Sequence, residues 1–182
     1  MTDVQRFEAF VLAYQDMVFA TAVRLVGREA DAEDIAQTTF LKAWERFHDL
    51  DGNPAAGGWL KTVATNLALS HLTRYRSRWR LFSELSGGGD IDRDDREFES
   101  TLAAADVTDE GLDRAEALAE LERALRSLPP HQRVPLVLFH FDRRSYDEIA
   151  ERLRVSVGKI KTDIHRGRLA LRALLVGGHE SH

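Results

Sequence analysis

Residues 143–172 combine cationic and short polar side chains in a way that suits binding to duplex nucleic acid. This segment holds nine Lys or Arg against four Asp or Glu. Ser145 and Glu148 form a predicted capping box for one helix, and Ser156 is placed to cap a second helix. Inward apolar side chains on both helices, with Val155 in a tight turn between them, predict a helix-turn-helix. The second helix is expected to present Val157, Lys159, Lys161, Thr162, His165, Arg166 and Arg168 outward.

An outward face of this composition suits a helix in a major groove. Cations bind phosphates there, while short polar side chains read the base edges. The alternative is an ordinary helical hairpin with a solvated basic face. Arg154 lies in the predicted turn, where glycine would adopt a positive φ more easily.

A second basic segment, HLTRYRSRWR at residues 71–80, has arginines interleaved with aromatic side chains and contains no acid. The side chains concerned are Arg74, Tyr75, Arg76, Arg78, Trp79 and Arg80. Arginines that follow phosphates beside aromatics on which bases stack are typical of a surface for single-stranded nucleic acid. The alternative is a solvated helix end, with cations that complement the helix dipole and Trp79 packed on the core.

The segment DAEDIAQTTFLKAWERF predicts a helix with a charged face opposite its apolar stripe. That face would carry Asp31, Asp34, Gln37, Thr38, Leu41 and Glu45. An exposed Leu41 among acids favours a surface for a protein partner, and a merely solvated charged face is the alternative.

The sequence gives little support to the hypothesis of an enzyme. Glu45 and His48 have the spacing of a di-iron ligand pair, but such a site needs a second copy and two further glutamates. The sequence has no GxxxxGK[ST], HExxH or GxSxG motif, and its zero cysteines exclude disulfides and thiolate metal sites. We therefore predict no catalytic residue, no metal ligand and no cofactor. No signal-peptide pattern or long apolar run is evident, so we expect a soluble, cytoplasmic protein without membrane insertion.

The net charge of −5 hides an uneven distribution. Residues 1–85 have a net charge of −1, residues 86–116 of −8 and residues 117–182 of +4. A single acidic segment thus masks a basic C-terminal part, and the overall charge does not argue against binding to nucleic acid.

The elements that must position these residues are all predicted to be helical. Helical periodicity predicts a first helix between Thr2 and Gly27, a second from about Asp31 and a third from about Trp59. The second helix is expected to bury Ile35, Ala36, Phe40, Ala43, Trp44 and Phe47, and the stretch 48–58 to break it. Three such helices should form a bundle.

The second half of the chain is also predicted to be helical, after a Gly-rich, acidic stretch. Periodicity resumes at Leu112 and stops at Pro129, and a short apolar helix follows that should begin or bend near Pro135. The predicted fold is all-α, with two small helical domains, an N-terminal bundle and a C-terminal helix-turn-helix domain, joined by an acidic flexible linker.

Five segments in a characteristic order carry a resemblance to a known family. They are DAEDIAQTTFLKAWERF, WLKTVATNLALSHLTR, the acidic linker, LRSLPPHQRVPLVLFHF and SYDEIAERLRVSVGKIKTDIHRGRLALR. Together they resemble the extracytoplasmic-function sigma factors of bacterial RNA polymerase, a group within the sigma-70 family. The resemblance implies a non-enzymatic subunit that binds core RNA polymerase and directs promoter-specific initiation, with no small-molecule substrate.

The resemblance also implies roles for individual residues. Docking of the second helix on the coiled coil of the polymerase β′ subunit would involve Asp31, Asp34, Gln37, Leu41 and Trp44. Capture of the single-stranded minus-ten element would involve Asn66, Ser70, Arg74, Tyr75, Arg76, Arg78 and Trp79. Reading of the duplex minus-thirty-five element would involve Arg144, Ser156, Val157, Lys159, Lys161, Thr162, His165, Arg166 and Arg168.

The implied domains are sigma region 2 at 1–85, an acidic linker at 86–111 and sigma region 4 at 112–182. The linker would thread through the polymerase, and the C-terminal domain would sit on the β-flap. An anti-sigma factor is a further expected partner. Ser70, Arg154 and Lys159 stand where many relatives have Asp, Gly and Thr, so base preferences do not carry over.

The alternative function is a free-standing helix-turn-helix regulator, which would bind duplex DNA without polymerase.

Overall fold

Helix α1 begins and ends where local signals in the sequence place it. A computed structural model of the protein describes residues 1–73 and 111–179. The helices in the first range are α1 (Asp3–Val26), α2 (Glu29–Glu45), α3 (Phe47–Leu50) and α4 (Ala56–Leu72). The predicted capping box opens α1, with the Gln5 amide donating to Thr2 Oγ1 over 3.2 Å. Gly27 ends α1 at φ 75°.

The first three long helices form the predicted bundle, in which α1 packs on both α2 and α4, and α2 packs on α4. Small side chains lie where the helices meet, since Ala22, Ala32, Ala43, Ala64 and Ala68 are all fully buried. Alanine allows close helix approach, and larger residues fill the space between the crossings. The fully buried larger residues are Val18, Leu25 and Leu60.

Two boundaries differ from the sequence prediction. Helix α2 begins at Glu29 rather than near Asp31. Helix α4 begins at Ala56, so Gly57 lies in its first turn instead of in a loop. A Cβ at Gly57 would lie 3.2 Å from Cε1 of Tyr14, so this glycine permits the start of α4 to approach α1 closely.

The prediction that Trp44 is buried is wrong. Its side chain is 44% exposed, although its ring makes an edge contact with Phe7 at 4.8 Å between centroids. Phe47 is buried as expected, but it belongs to α3, because the chain turns at Arg46. The two rings remain stacked across this turn, with 6.1 Å between their centroids, although one is exposed and the other is buried.

Helix α1 also meets a length and composition criterion for a membrane span, with a mean hydropathy of 1.4. This is a weak indication, because core helices of soluble proteins pass the same test. Seven residues of α1 are buried, including Phe10, Val18 and Leu25.

The described part of the second half contains α5 (Gly111–Ser127), α6 (Pro130–His140), α7 (Tyr146–Leu153) and α8 (Val157–His179). Helix α8 packs on α5, α6 and α7. The core holds Leu125, Val134, Leu136, Ile149, Ile160, Ile164 and Leu171. The chain divides into two compact units, Met1–Arg76 and Ser77–His182. All helices seen here are α-helices, as predicted for an all-α fold.

Helix α6 begins five residues before Pro135, so the alternative that it begins near Pro135 is wrong, and Pro135 lies inside the helix. Pro130 occupies the first turn, where a missing N–H costs nothing, so the helix begins there. Arg133 ties α6 to the end of α5, because its Nη1 donates to the Leu128 carbonyl over 2.7 Å. Burial lowers the pKa of Arg133 to about 10.

Candidate nucleic-acid and partner interfaces

Helices α7 and α8 form the predicted helix-turn-helix, and side-chain caps fix both starts. The Glu148 amide donates to Ser145 Oγ over 3.1 Å, and Glu148 Oε2 accepts from the Ser145 amide over 2.8 Å. Ser156 Oγ accepts from the Lys159 amide over 3.2 Å at the start of α8. Ala150 is buried, as expected for a close crossing of α7 and α8.

The turn contains the backbone conformation that the sequence suggested. Arg154 has φ 55° and ψ 49°, which is the left-handed region. A side chain there costs about 1–2 kcal/mol because Cβ approaches the following carbonyl oxygen. The turn is nevertheless closed by a hydrogen bond of 3.0 Å from the Val155 amide to the Ala150 carbonyl.

Several predicted duplex-reading residues share the accessible side of α8. Ser156 is exposed, while Val157, Lys161, Thr162, His165 and Arg166 are half-buried. Thr162 Oγ1 donates to the Gly158 carbonyl over 3.0 Å, which orients the hydroxyl. Lys161 Nζ lies 5.5 Å from the centroid of the Tyr146 ring, and that ring stacks on Phe139. Arg144 is exposed just before α7, with Nη1 3.9 Å from Glu148 Oε1. The structure thus gathers short polar and cationic groups on one side.

Arg168 is a correction to the predicted outward face. It is fully buried, and its Nε donates to His140 Nε2 over 3.0 Å. Its guanidinium carbon lies 5.6 Å from the centroid of the Phe139 ring. The helical spacing explains this position, because Arg168 comes four residues after Ile164 and three before Leu171. Arg168 therefore joins α8 to α6 from inside the unit.

Asp163 was not predicted as a functional residue, yet it lies directly beside one. Its carboxylate forms an ion pair with the Lys159 ammonium, and the side chains are 3% and 13% exposed respectively. Lys159 is thus not a freely extended cation. The i, i+4 spacing of an acid on a basic helix was the available signal in the sequence.

A close contact places α8 against α6 at Gly167. A Cβ at this position would lie 3.1 Å from Leu136 Cδ1 and 3.3 Å from the Gln132 carbonyl oxygen. This glycine was also missed from the sequence, because a small residue inside a helix gives no sign of what faces it.

In the first unit, α2 presents the predicted mixed face. Asp34, Gln37, Leu41 and Trp44 are exposed along one side of the helix, with Leu41 at 63%. Asp31 is half-buried, with its Oδ2 3.4 Å from His71 Nε2 of α4. An exposed apolar side chain flanked by acids is suited to a protein partner.

Two predicted minus-ten residues, Asn66 and Ser70, are exposed one turn apart on α4. Ser70 borders a cleft of about 320 Å³ that Asp31, Asp34 and His71 also line. The candidate partner face and the candidate minus-ten face therefore meet at this cleft. Arg74, Tyr75, Arg76, Arg78 and Trp79 lie outside the described residues.

The di-iron alternative gains nothing from the geometry. Glu45 and His48 are both exposed, and α2 ends between them. Within residues 1–73 and 111–179, no three His, Cys, Asp or Glu side chains are grouped to hold a metal ion.

Comparisons with known proteins agree with this arrangement. The family model "Sigma-70 region 2" matches residues 10–78, and "Sigma-70, region 4" matches residues 118–171. The chain is 30% identical to the ECF RNA polymerase sigma factor SigW of Bacillus subtilis over 95% of this chain and 90% of that protein. It is 34% identical to the ECF RNA polymerase sigma factor SigE of Mycolicibacterium smegmatis over 93% of this chain, which spans 61% of that relative.

Among solved structures, the chain resembles the sigma factor RpoE of Bartonella quintana in its complex with the anti-sigma factor NepR. The TM-score is 0.48 and the identity 21%, with 93% of this chain and 96% of that chain covered.

The two region matches in order, on a helical bundle and a helix-turn-helix, define a sigma factor of the sigma-70 class. The chain belongs to the extracytoplasmic-function sigma factors, which give bacterial RNA polymerase its promoter specificity. The alternative of a free-standing helix-turn-helix regulator is therefore wrong.

Proposed function

We propose that polymerase docking and minus-ten capture belong to the sigma region 2 domain at residues 1–85, and that minus-thirty-five reading belongs to the sigma region 4 domain at residues 112–182. The observation that carries the proposal is the contrast between the exposed faces. The α2 face offers Leu41 and Trp44 among acids, whereas α8 offers Thr162, His165 and Arg166. The first suits a protein partner and the second suits DNA.

Docking on core polymerase falls to α2. Leu41 and the exposed edge of Trp44 supply apolar area that a coiled coil of the β′ subunit would cover. The contact of Trp44 with Phe7 holds the indole in place, so little side-chain freedom is lost on binding. The neighbouring Asp34 carboxylate adds a charge that a basic partner would match.

Minus-ten capture falls to α4 and the basic segment that follows it in the sequence. Unstacking bases from a duplex costs a few kcal/mol per step, and stacking on aromatics returns about 1–3 kcal/mol per base. Asn66 and Ser70 offer polar groups on the exposed side of α4. Tyr75 and Trp79 would provide the stacking surfaces, and the arginines between them would bind phosphates.

Minus-thirty-five reading falls to α8. Its first turns carry Thr162 and His165, which are short enough to reach base edges, with Lys161 and Arg166 for phosphates. The Tyr146 ring beneath Lys161 limits the positions of that ammonium. The helix therefore meets a major groove with a preformed set of donors.

The remaining parts of the proposal follow the family. The boundaries would be 1–85, 86–111 and 112–182, with the acidic linker imitating nucleic acid in a basic polymerase channel. The C-terminal domain would sit on the β-flap, and an anti-sigma factor would bind the free protein. The protein would act in the cytoplasm without an enzymatic reaction of its own.

The test is whether substitutions in each domain impair recognition of one promoter element only. Holoenzyme binding is measured on a promoter with either element scrambled, using an Asn66→Ala/Ser70→Ala variant and a Thr162→Ala/His165→Ala variant. The first should lose sensitivity to the minus-ten sequence alone, and the second to the minus-thirty-five sequence alone. Equal loss toward both elements in both variants would contradict the division.

A further inference from the structure

The only acid in the sequence of α8, Asp163, is buried within the helix that carries the candidate DNA-reading residues. It lies four residues after Lys159 and three before Arg166, so all three side chains project from one side of the helix. The Asp163 carboxylate accepts a hydrogen bond from the Lys159 ammonium. A buried carboxylate is costly unless a cation neutralises it, and the Lys159 ammonium supplies that cation here.

Lys159 is the cation that neutralises Asp163. Lys159, Asp163 and Arg166 of α8 all act electrostatically on His131 of α6. Burial lowers the pKa of His131, and the nearby Lys159 and Arg166 lower it further, while Asp163 raises it. His131 is consequently neutral at neutral pH. The direct hydrogen bond that the structure shows to the carboxylate comes from the Lys159 ammonium.

The pairing changes what Lys159 can offer to DNA. A lysine that extends freely into solvent binds any phosphate as a point charge and adds about 0.9 to the salt dependence of log K. Here the opposite charge lies against the ammonium, and only 13% of the side chain is exposed. Long-range attraction to phosphates is thereby reduced. The ammonium keeps further N–H donors, which the carboxylate holds at one fixed position.

We propose that Asp163 is a specificity-determining residue that converts Lys159 from a general phosphate contact into a positioned donor to one guanine of the minus-thirty-five duplex. Guanine is the base concerned because its O6 and N7 acceptors in the major groove match an ammonium donor. The inference rests on the proposed role of α8 as the helix that reads duplex DNA. Asp163 acts through Lys159 and touches no base itself.

The experiment compares wild-type, Asp163→Asn and Glu151→Gln proteins, each assembled with core polymerase. Glu151→Gln removes one exposed acid of α7 and serves as the matched control for net charge. Binding is measured on the selected promoter, on every single-base variant of its minus-thirty-five element and on a scrambled element, over a range of salt concentrations.

Asp163→Asn should release Lys159. The salt slope of log K should then steepen by about 0.9, as for one added phosphate contact. Affinity for the scrambled element should rise, and discrimination at one guanine should fall from about tenfold or more to less than about threefold. Glu151→Gln should leave the slope and the discrimination unchanged.

A double-mutant cycle separates this role from a loss of folding. Lys159→Met alone leaves a buried carboxylate unpaired and should lower the melting temperature, and Lys159→Met/Asp163→Asn should restore most of it. In the Lys159→Met background, Asp163→Asn should alter neither the salt slope nor the base discrimination.

The inference is overturned if Asp163→Asn behaves like Glu151→Gln, or if its effect persists without Lys159. If the wild-type and Asp163→Asn holoenzymes discriminate minus-thirty-five sequences equally well, only this inference is refuted. If the wild-type holoenzyme binds all minus-thirty-five sequences with the same affinity, the proposed role of α8 is refuted as well.

Discussion

The exposed face of α2 and the exposed face of the first turns of α8 differ in the types of side chain that they carry. On α2, the apolar Leu41 and Trp44 are exposed and acids lie beside them. On α8, Ile160 and Ile164 are buried, and the acid is buried with them. A protein partner covers apolar surface, whereas DNA presents phosphates and polar base edges. The first turns of α8 thus differ from α2 in the kind of side chain that they leave to solvent.

Within α8, the burial of Arg168 and the accessibility of Arg166 make the sharpest contrast. Arg168→Ala should lower the free energy of unfolding by about 3 kcal/mol, because it empties a buried site and breaks the bond to His140. Arg166→Ala should cost less than about 0.5 kcal/mol. Calorimetric melting of the full chain measures both.

The same two substitutions should also be distinguished by the salt dependence of holoenzyme binding to DNA. Arg166→Ala should reduce the salt slope of holoenzyme binding by about one phosphate contact. A similar loss of stability in both variants would show that the two arginines do not differ in role.

The proposal that α2 binds core polymerase is tested at Leu41. Leu41→Glu should weaken binding to core polymerase by about 30-fold, or about 2 kcal/mol, because a charge replaces a covered apolar side chain. Leu12→Glu is the matched control, since Leu12 of α1 is 68% exposed, close to the 63% of Leu41, but lies on another helix. Fluorescence anisotropy with labelled protein measures both, and equal losses would refute the assignment of docking to α2.

A smaller effect is expected in the turn before α8. Arg154→Gly should raise the free energy of unfolding by about 0.5–1 kcal/mol, because it removes the strain of φ 55° while adding some unfolded-state entropy. Urea denaturation measures the change. Arg152→Gly inside α7 is the control and should destabilise instead. A destabilising Arg154→Gly would mean that the turn is not strained.

The smallest effect concerns pH. Burial depresses the pKa of His131 in the folded chain, so the unfolded chain binds a proton more readily. The stability associated with neutral His131 is present above the usual value of 6.5 and is lost as the pH falls through the depressed pKa. His131→Gln should flatten this part of the stability profile. An unchanged profile would contradict the assignment to His131.

Local signals in the sequence were enough for much of the fold. The capping boxes at Thr2 and Ser145 and the left-handed Arg154 follow from neighbours within four residues, and the structure confirms them. Trp44 was misplaced because the sequence did not show that the chain turns at Arg46. Arg168 was misplaced and Asp163 was missed, although the helical spacing of each carried a signal. A basic residue type suggested solvent for Arg168, whereas its spacing from Ile164 and Leu171 pointed to the core.

The most direct test of the central claim is run-off transcription from a promoter library by purified core polymerase. Reactions contain no added protein, the wild-type protein, or an Arg74→Ala/Arg76→Ala/Arg78→Ala variant. The account predicts that a discrete set of promoters is transcribed only with the wild-type protein and that the variant loses this activity. Transcription of the same set without the protein, or no initiation with it, would contradict the account.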